Sequence, residues 1–445
     1  MSIVPAVAAT VARGGRSPNS ENARRLSAVA LSPPPAGLCY NRRFHPLIIH
    51  VLRRVPSLRS GAISVAVALL LLLSGCSGGS TPTQTTSNIR PRVFVSNTVA
   101  GNLQIIDAKR DVLDFTHTVS VGTSPGLMAL APNRSFTLVF DAGNNNISLV
   151  DNAQETQTSS IALPSWTESM VISPDSAFAY AAMPAASVLG QPAGVIGVLD
   201  IANKNLKFKV NLPQAHWLVM NHSGNRLLVF SDNSDSVTVI NPNQIGKGAY
   251  STTVSGFDRP VWGVFSDDDS TAYILSCGAE CGGTNAALTV LNMNTNTPGA
   301  TVGLAGATRA MLISGNLYVA GSGHGVGTLQ VVSTAGLSAS ASIGISNGYH
   351  QRMELGSNNK LFIGSRGCSH SGCLSIVDVG SKKAVIDTPA GDVTGIAPIA
   401  NSNEVYVIEG GELRIFDTTT GAVSTTHFID IVGQATDAKE VDPPQ

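Results

Sequence analysis

A repeated strand pattern constrains the fold of this 445-residue chain more than any other feature. The repeated element alternates apolar and polar residues, ends in Asp or Asn, and returns about every 45 residues from residue 92 onward. A period of that size, built only from short strands, is typical of a β-propeller blade with four antiparallel strands. The copies are residues 103–107, 147–151, 195–200, 237–241, 288–292, 374–378 and 413–417, with a diverged copy at 329–333.

A second strand precedes each copy, and a hairpin rich in Gly and Asn joins the two strands. Gly and Asn suit such hairpins because both residues tolerate positive φ. No stretch shows sustained helical periodicity with caps, so the body is predicted to be all-β. The preceding strands are residues 93–97, 136–141, 178–183, 227–231, 272–276, 317–321, 361–365 and 405–409.

The number of strands favours an eight-bladed propeller. Seven complete four-strand sets extend from residue 127 to about residue 428, and residues 92–121 supply three more strands without an inner one. Three strands alone would leave an open edge at the central channel. We expect residues 430–440 to provide the missing inner strand, so that the first and last blade is shared by both ends of the domain. Seven blades is the alternative, and it would leave the extra strands without a place.

Several copies resemble the YVTN family of β-propeller repeats. The closest matches are residues 93–97 (VFVSN) followed by 103–107 (LQIID), and residues 124–127 (SPGL) followed by 131–133 (APN). The resemblance extends over nearly all of residues 92–428, although residues 328–341 depart from the pattern. It implies a propeller of antiparallel blades and says little about function, because propellers with unrelated functions share this architecture.

The first 75 residues are predicted to be a leader and signal peptide rather than part of the fold. Arginines between residues 53 and 59 precede an apolar run over residues 62–73. That run is shorter than the roughly twenty residues of a membrane-spanning helix. Residues 73–76 (LSGC) resemble a bacterial lipobox, so we expect Cys76 to become the lipidated N-terminus. An ordinary signal peptide with an incidental cysteine is the alternative.

Residues 1–50 precede a signal that is complete without them, so we expect translation to begin near Val51 rather than at Met1. Residues 76–91 are rich in Ser, Thr and Gly and are predicted to be a flexible tether. Residues 92–440 are predicted to form a single propeller domain. The protein is therefore expected to be exported and lipid-anchored to the bacterial cell envelope, with the outer membrane or periplasm favoured.

The four cysteines of the body form two close pairs, Cys277 with Cys281 and Cys368 with Cys373. Close pairs in an exported chain favour disulfides. The alternative is a metal site that would include His370 inside the second pair, but the spacings do not form a matched metal-binding set. We expect two disulfides, no metal and no cofactor.

Charge divides sharply between the leader and the body. Residues 1–75 contain nine arginines and one acidic residue, whereas the remaining 370 residues contain 19 basic and 28 acidic residues. An acidic body without a cluster of Lys or Arg binds nucleic acid poorly, because neutralising phosphates requires concentrated positive charge. Nucleic acid is therefore not an expected partner.

One rim of the predicted propeller is the candidate binding face. It carries the loops from outer to inner strands and the hairpins after each second strand, and is called the top face below. All three tryptophans of the chain fall here, in consecutive blades. Aromatic rings beside Arg and His donors suit a polar or anionic ligand, while the alternative is packing between blades with solvated arginines. The predicted residues are Trp166, His216, Trp217, Arg259, Trp262, Arg309, His324, His350, Arg352 and Arg366.

The preferred function is a non-catalytic binding or scaffold module of the cell envelope. Nothing in the sequence brings Ser, His and Asp together as a nucleophile elbow between a strand and a helix, and the chain has no phosphate-binding Gly-x-x-x-x-Gly-Lys-Ser/Thr loop. The alternatives are a propeller hydrolase of the lactonase type and a partner of a periplasmic redox enzyme. The expected partners are an envelope protein or a polar or anionic ligand, with membrane contact through the lipid anchor, and the protein is expected to be a monomer.

Overall fold

Eight antiparallel sheets follow one another in a ring in the computed structural model, which describes residues 86–369, 372–388 and 390–443. Each sheet is one blade, and in blades 2 to 8 the strands follow the chain from the inner strand at the channel to the outer strand at the rim. The predicted all-β propeller is confirmed, with eight blades rather than seven. Among the residues that the structure describes, helix is limited to short 3-10 turns at Pro242–Gln244, Gly278–Cys281 and Ser357–Asn359.

The strands of the first four blades follow in chain order. Blade 1 begins with β1 (Arg92–Asn97), β2 (Asn102–Asp107) and β3 (Val112–Ser120). Blade 2 consists of β4 (Pro125–Leu130), β5 (Phe136–Asp141), β6 (Asn146–Asp151) and β7 (Thr156–Ala162). Blade 3 consists of β8 (Ser169–Ile172), β9 (Phe178–Met183), β10 (Val195–Asp200) and β11 (Asn205–Asn211). Blade 4 consists of β12 (Ala215–Met220), β13 (Leu227–Ser231), β14 (Ser236–Ile240) and β15 (Ser251–Ser255).

The remaining blades complete the ring. Blade 5 consists of β16 (Pro260–Phe265), β17 (Thr271–Cys277), β18 (Ala286–Asn292) and β19 (Thr297–Gly303). Blade 6 consists of β20 (Arg309–Ile313), β21 (Asn316–Gly323), β22 (Val326–Ser333), β23 (Ser338–Ala339) and β24 (Ile343–Ile345). Blade 7 consists of β25 (Tyr349–Leu355), β26 (Lys360–Arg366), β27 (Leu374–Asp378) and β28 (Lys383–Ile386). Blade 8 consists of β29 (Val393–Pro398), β30 (Glu404–Glu409), β31 (Glu412–Asp417) and β32 (Ala422–Val423), and β33 (Ala435–Glu440) follows.

The last strand closes the ring by completing the first blade. Strand β33 pairs antiparallel with β1, with Val93 opposite Glu440, so blade 1 takes its inner strand from the end of the domain. This confirms the prediction that residues 430–440 supply the missing strand. A buried Arg92 strengthens the junction, because its Nη2 lies 2.6 Å from Asp442 Oδ1 and its Nη1 lies 2.6 Å from Glu155 Oε1.

The apolar core lies between neighbouring blades rather than at one centre. Every residue of β1 and of β5 is buried, because each sheet packs against a blade on both of its faces. Between blades 7 and 8, for example, Phe362 meets Phe416 edge-on at a ring-centroid distance of 6.0 Å. Burial between sheets on this scale is the main favourable contribution to folding.

Blade 6 departs from the regular four-strand pattern. Its outermost position is divided between β23 and β24, which both pair with β22. The division explains why residues 328–341 match the repeat poorly: the chain leaves the sheet after two residues and returns further along the same neighbour.

The two disulfides predicted from the sequence are present. Cys277 and Cys281 are bonded with their Cα atoms 5.9 Å apart, and Cys368 and Cys373 with theirs 5.6 Å apart. Disulfides form and persist in oxidising compartments, so they indicate an exported protein.

Parts of the chain used in the sequence predictions lie outside the described residues. These are the leader, Cys76, residues 76–85 of the tether and His370. Within the described ranges, no helix is long and apolar enough to cross a membrane.

Candidate functional site

Bulges near the top of several inner strands position the candidate site. The inner strands of blades 4, 5 and 7 each leave one residue unpaired against the second strand. The unpaired residues are His216, Val261 and Gln351. A bulge bends a strand and redirects the next side chains. The residues that follow the three bulges, Trp217, Trp262 and Arg352, line one central cavity.

The central cavity lies at the mouth of the channel on the top face and has a volume of about 470 Å³. Six of the ten residues predicted for the site line it. They are Trp166, Trp217, Trp262, Arg309, Arg352 and Arg366. Glu168 and Gln351 also line it, and Glu168 carries the one carboxylate among the lining side chains. The cavity therefore combines three aromatic rings with an excess of positive charge.

Arg309 is held by an aromatic ring rather than by an acid. Its guanidinium carbon lies 3.5 Å from the ring centroid of Trp262, which is a close cation–π contact. Burial, together with the neighbouring Arg352 cation, lowers the pKa of Arg309 to about 10, so the group stays charged at neutral pH. The indole Nε1 of Trp262 is buried and has no acceptor among the described residues.

The other two arginines also keep unused donors. Arg352 Nε donates to the backbone oxygen of Thr394 at 2.7 Å, which orients the guanidinium at the cavity wall. Arg366 Nη1 lies 3.6 Å from Glu168 Oε1, while its Nε is buried without an acceptor in the described part of the chain. A guanidinium carries five N–H donors and no acceptor. Donors therefore far outnumber acceptors around this cavity.

The pair of Arg366 and Glu168 crosses the channel. Glu168 precedes the inner strand of blade 3, and Arg366 ends the second strand of blade 7. Blades 3 and 7 stand opposite one another in an eight-bladed ring, so this contact narrows the mouth of the channel. The Glu168 pKa is below its ordinary value because His216 hydrogen-bonds to the carboxylate and the Arg366 and Arg352 cations face it, despite opposing burial.

His216 forms a charged cluster beside the central cavity. Its Nδ1 lies 2.8 Å from Asp232 Oδ1, and its Nε2 lies 3.3 Å from Glu168 Oε2. Burial opposes the charged imidazolium, but the hydrogen bonds with Asp232 and Glu168 outweigh it and raise the pKa of His216 to about 9. The imidazolium ring also stacks on Trp217 at a centroid distance of 4.5 Å.

The remaining predicted residues lie at separate places. Arg259 and His216 line a second cavity of about 330 Å³ next to the central one. His324 is exposed in the hairpin between β21 and β22 and lines a larger groove of about 1180 Å³. His350 is buried, its Nε2 lies 2.9 Å from Ser346 O, and burial lowers its pKa to about 4. His350 is therefore neutral and packed inside its blade.

The structure adds three residues that the prediction omitted. Glu168 and Gln351 occupy the same position of the repeat as two predicted site residues, His216 and Arg309. That shared position was a signal from which both could have been found. Asp232 lies in a polar hairpin whose sequence is typical of an ordinary turn. Its contact with His216 in the folded protein is what makes it part of the site.

Comparison with known proteins identifies relatives of the fold alone. No family model matches the chain, and no curated protein matches it. The solved structure of "Dihydro-heme d1 dehydrogenase NirN in complex with DHE" is similar with a TM-score of 0.60 and 10% identity, over 80% of this chain and 78% of that one. Hydrazine synthase from Kuenenia stuttgartiensis is similar with a TM-score of 0.52 and 13% identity, over 66% of this chain and 95% of that one.

Proposed function

We propose that this protein is an exported, lipid-anchored binding module of the bacterial cell envelope, and that its central cavity holds a small anionic ligand. The excess of buried donors at the cavity carries the proposal. Arg309, Arg352 and Arg366 line the cavity with one carboxylate, Glu168, which is already shared with His216, while Glu354 near Arg309 and Arg352 does not line it. An anion is the chemical group that such a site lacks.

Buried donors without acceptors favour a ligand that supplies oxygen atoms. Each unsatisfied buried N–H costs about 1–3 kcal/mol, and the indole Nε1 of Trp262 and Nε of Arg366 are both in that state. Carboxylate and phosphate oxygens match the fork of a guanidinium and form charge-assisted hydrogen bonds with it. A ligand with two or three such oxygens would satisfy donors from blades 5, 6 and 7 together.

The tryptophans define the other half of the ligand. Trp166 is 40% exposed, an unusual degree for so large an apolar ring, and it stands edge-on to His216 at 6.0 Å. Trp217 and Trp262 add two further rings to the cavity wall. A volume of about 470 Å³ lies within the usual range for small-molecule sites. We therefore propose an anion that carries a planar or apolar body.

The cellular placement rests on separate observations. The disulfides indicate export, and the LSGC sequence ending at Cys76 supports a lipid anchor. The resemblance to YVTN repeats supports membership of that propeller family. The acidic net charge of the body also supports a partner other than nucleic acid.

Intrinsic fluorescence tests the binding proposal, because all three tryptophans of the chain line the central cavity. The probes are citrate, inorganic phosphate and phthalate, a planar aromatic dicarboxylate. We expect a saturable change in fluorescence, strongest with phthalate. The double variant Arg309→Gln/Arg352→Gln should weaken binding by at least about tenfold, since two charge-assisted contacts are lost.

Arg226→Gln is the matched control, because the Arg226 side chain donates to the backbone oxygen of the neighbouring Asn225 and lies outside the cavity. Its dissociation constant should equal that of the unmodified protein. An absence of saturable change with every probe, or equal affinity in the double variant, would contradict the proposal.

The enzyme alternatives remain predictions. A hydrolase needs an acid or base whose pKa lies near the working pH, whereas the cavity carboxylate Glu168 has a lowered pKa and is engaged by His216 and Arg366. The structure of NirN, described as a dihydro-haem d1 dehydrogenase, motivates the redox alternative through its fold alone. Lactone turnover lost in Glu168→Gln would favour the first alternative, and a haem absorption shift on binding would favour the second.

A further inference from the structure

We propose a divalent-metal site at the ring closure, formed by Asp111, Glu404 and His427, with Zn²⁺ as its ion. One ligand atom from each of these residues lies within 4.8 Å of the other two. His427 Nδ1 is 2.6 Å from Asp111 Oδ2 and 3.0 Å from Glu404 Oε1. This inference does not depend on the function proposed for the central cavity.

Three parts of the chain that are far apart in sequence meet at this site. Asp111 lies in the hairpin between β2 and β3 of blade 1, and Glu404 begins β30 of blade 8. His427 lies in the segment between β32 and β33, which carries the chain from blade 8 back to blade 1. Because β33 is the inner strand of blade 1, β2 is the third strand of that blade, and the hairpin after it lies on the face opposite the top face. The site is therefore remote from the central cavity.

Each carboxylate is already oriented with one oxygen toward the cluster. Asp111 Oδ1 accepts a hydrogen bond from the Tyr406 hydroxyl, which leaves Oδ2 beside His427. Glu404 Oε2 accepts from Ser402 Oγ at 3.1 Å, which leaves Oε1 beside the same imidazole nitrogen. Outer hydrogen bonds of this kind orient ligands in protein metal sites.

The histidine is likewise positioned by its own backbone. The amide of His427 donates to Ser424 Oγ at 3.0 Å, which fixes the closing segment next to the cluster. A single Nδ1 faces two carboxylates, and one N–H cannot serve both with a full hydrogen bond. A cation between the three ligand atoms would bond to all of them.

The ligand set suits zinc better than the harder cations. One imidazole nitrogen and two carboxylate oxygens form a three-ligand zinc site, with the fourth tetrahedral position open to water. Calcium instead takes six to eight oxygen ligands, and magnesium retains several waters. The side chain of His427 is 50% exposed, so an ion can reach the site from solvent.

Metal bound here would join blade 1, blade 8 and the closing segment at one point. Because the three ligands are brought together only in the folded ring, an ion that binds them raises the stability of the folded state. The bound ion would cross-link the fold at the position where the two ends of the domain meet.

The test measures thermal unfolding and calorimetric binding of Zn²⁺ by the purified full chain, without a histidine tag, with its disulfides oxidised and after removal of metals by a chelator. We expect one equivalent of Zn²⁺ to bind and the unfolding midpoint to rise, with no rise for Mg²⁺ at the same concentration. Co²⁺ should give a visible absorption band from the bound ion. His427→Gln should abolish binding, the rise and the band.

His222→Gln is the matched control, because His222 Nδ1 also lies 2.8 Å from a carboxylate, that of Asp269, on another blade. This variant should keep the full response to Zn²⁺. If Zn²⁺ neither binds nor raises the midpoint of the unmodified protein, the cluster is an ion pair only and the proposal is wrong. A response that persists in His427→Gln would place the ion elsewhere and would also overturn it.

Discussion

The three arginines of the central cavity are held in three different ways, and each leaves different donors free. Arg309 rests on the ring of Trp262, Arg352 is bonded to a backbone oxygen through Nε, and Arg366 faces Glu168. Lysine could not replace them equivalently, because its single ammonium has no planar fork and stacks poorly on an aromatic ring. If the cavity binds an anion as we propose, these fixed guanidinium planes favour one with paired oxygens.

His216 makes the stability of this protein depend on pH. Its folded-state pKa of about 9 lies above the ordinary value of about 6.5. The stabilisation from the charged ring is therefore complete below about pH 6.5 and disappears as the pH rises through about 9. We expect His216→Gln to lower the free energy of unfolding more at about pH 6 than at about pH 9.5, as measured by urea denaturation.

His222→Gln is again the control for this pH prediction, because it removes a histidine outside the cluster around Glu168. An equal loss of stability from His216→Gln at both pH values would show that the ring contributes packing and no charge.

At the scale of the strands, the inner strand of a blade contributes both to the core and to the candidate site. The lower parts of the inner strands pack between blades, while the bulges near their tops direct Trp217 and Arg352 into the cavity. The inner strand of blade 1 differs because it is β33, which comes from the end of the domain. The pairing of β33 with β1 therefore decides whether the ring is closed.

The buried ion network beside that pairing is predicted to stabilise the closure. Arg92 is 2% exposed and bonds to Asp442 through both its backbone amide and its guanidinium. Asp442→Ala would leave the buried Arg92 cation with the carboxylate of Glu155 and the backbone oxygen of Asn152, and with no acceptor for Nη2 in the closure network. We expect it to lower the free energy of unfolding by about 3–5 kcal/mol, measured by urea denaturation near neutral pH.

The exposed pair of Arg110 and Asp107 offers the comparison for this effect. The side chain of Arg110 is 73% exposed although its Nε lies 2.6 Å from Asp107 Oδ2. Arg110→Gln should change the free energy of unfolding by less than about 1 kcal/mol, because water screens exposed pairs. Similar losses from Asp442→Ala and Arg110→Gln would contradict a special role for the closure network.

At the scale of the whole molecule, both ends of the propeller meet at blade 1. Residue 92 begins β1 and residue 440 ends β33 in the same sheet. A tether that leaves from residues 76–91 would therefore hold the ring through the blade that closes it. The disulfides, in contrast, lie in blades 5 and 7.

Lipidation of Cys76 is the prediction that belongs to the whole protein. Cys76→Ser, expressed in a bacterial host with labelled palmitate, should lose the label and leave the membrane fraction. The propeller should fold unchanged, because every described strand follows residue 91. Circular dichroism of the released protein checks the fold. Retention of the label in Cys76→Ser would rule out this anchor.

The sequence by itself determined the architecture, because each blade is a local unit. Four consecutive strands joined by short turns carry their own period, and counting them predicted eight blades and a closing strand at residues 430–440. The same repeat placed three tryptophans and four arginines at one rim, and the structure has all of them except Arg259 around one cavity. Two close cysteine pairs were predicted for the same reason, since their partners are neighbours in the chain.

Only the tertiary structure decided which side chains meet across blades. A one-residue bulge reverses the face a side chain points to, so His350 is buried while Arg352, two residues later, lines the cavity. The contact of Glu168 with Arg366 spans the channel. Asp111 and His427 meet in the folded ring although they lie near opposite ends of the domain's sequence. Such pairs depend on the curvature that closes the ring, which no local pattern contains.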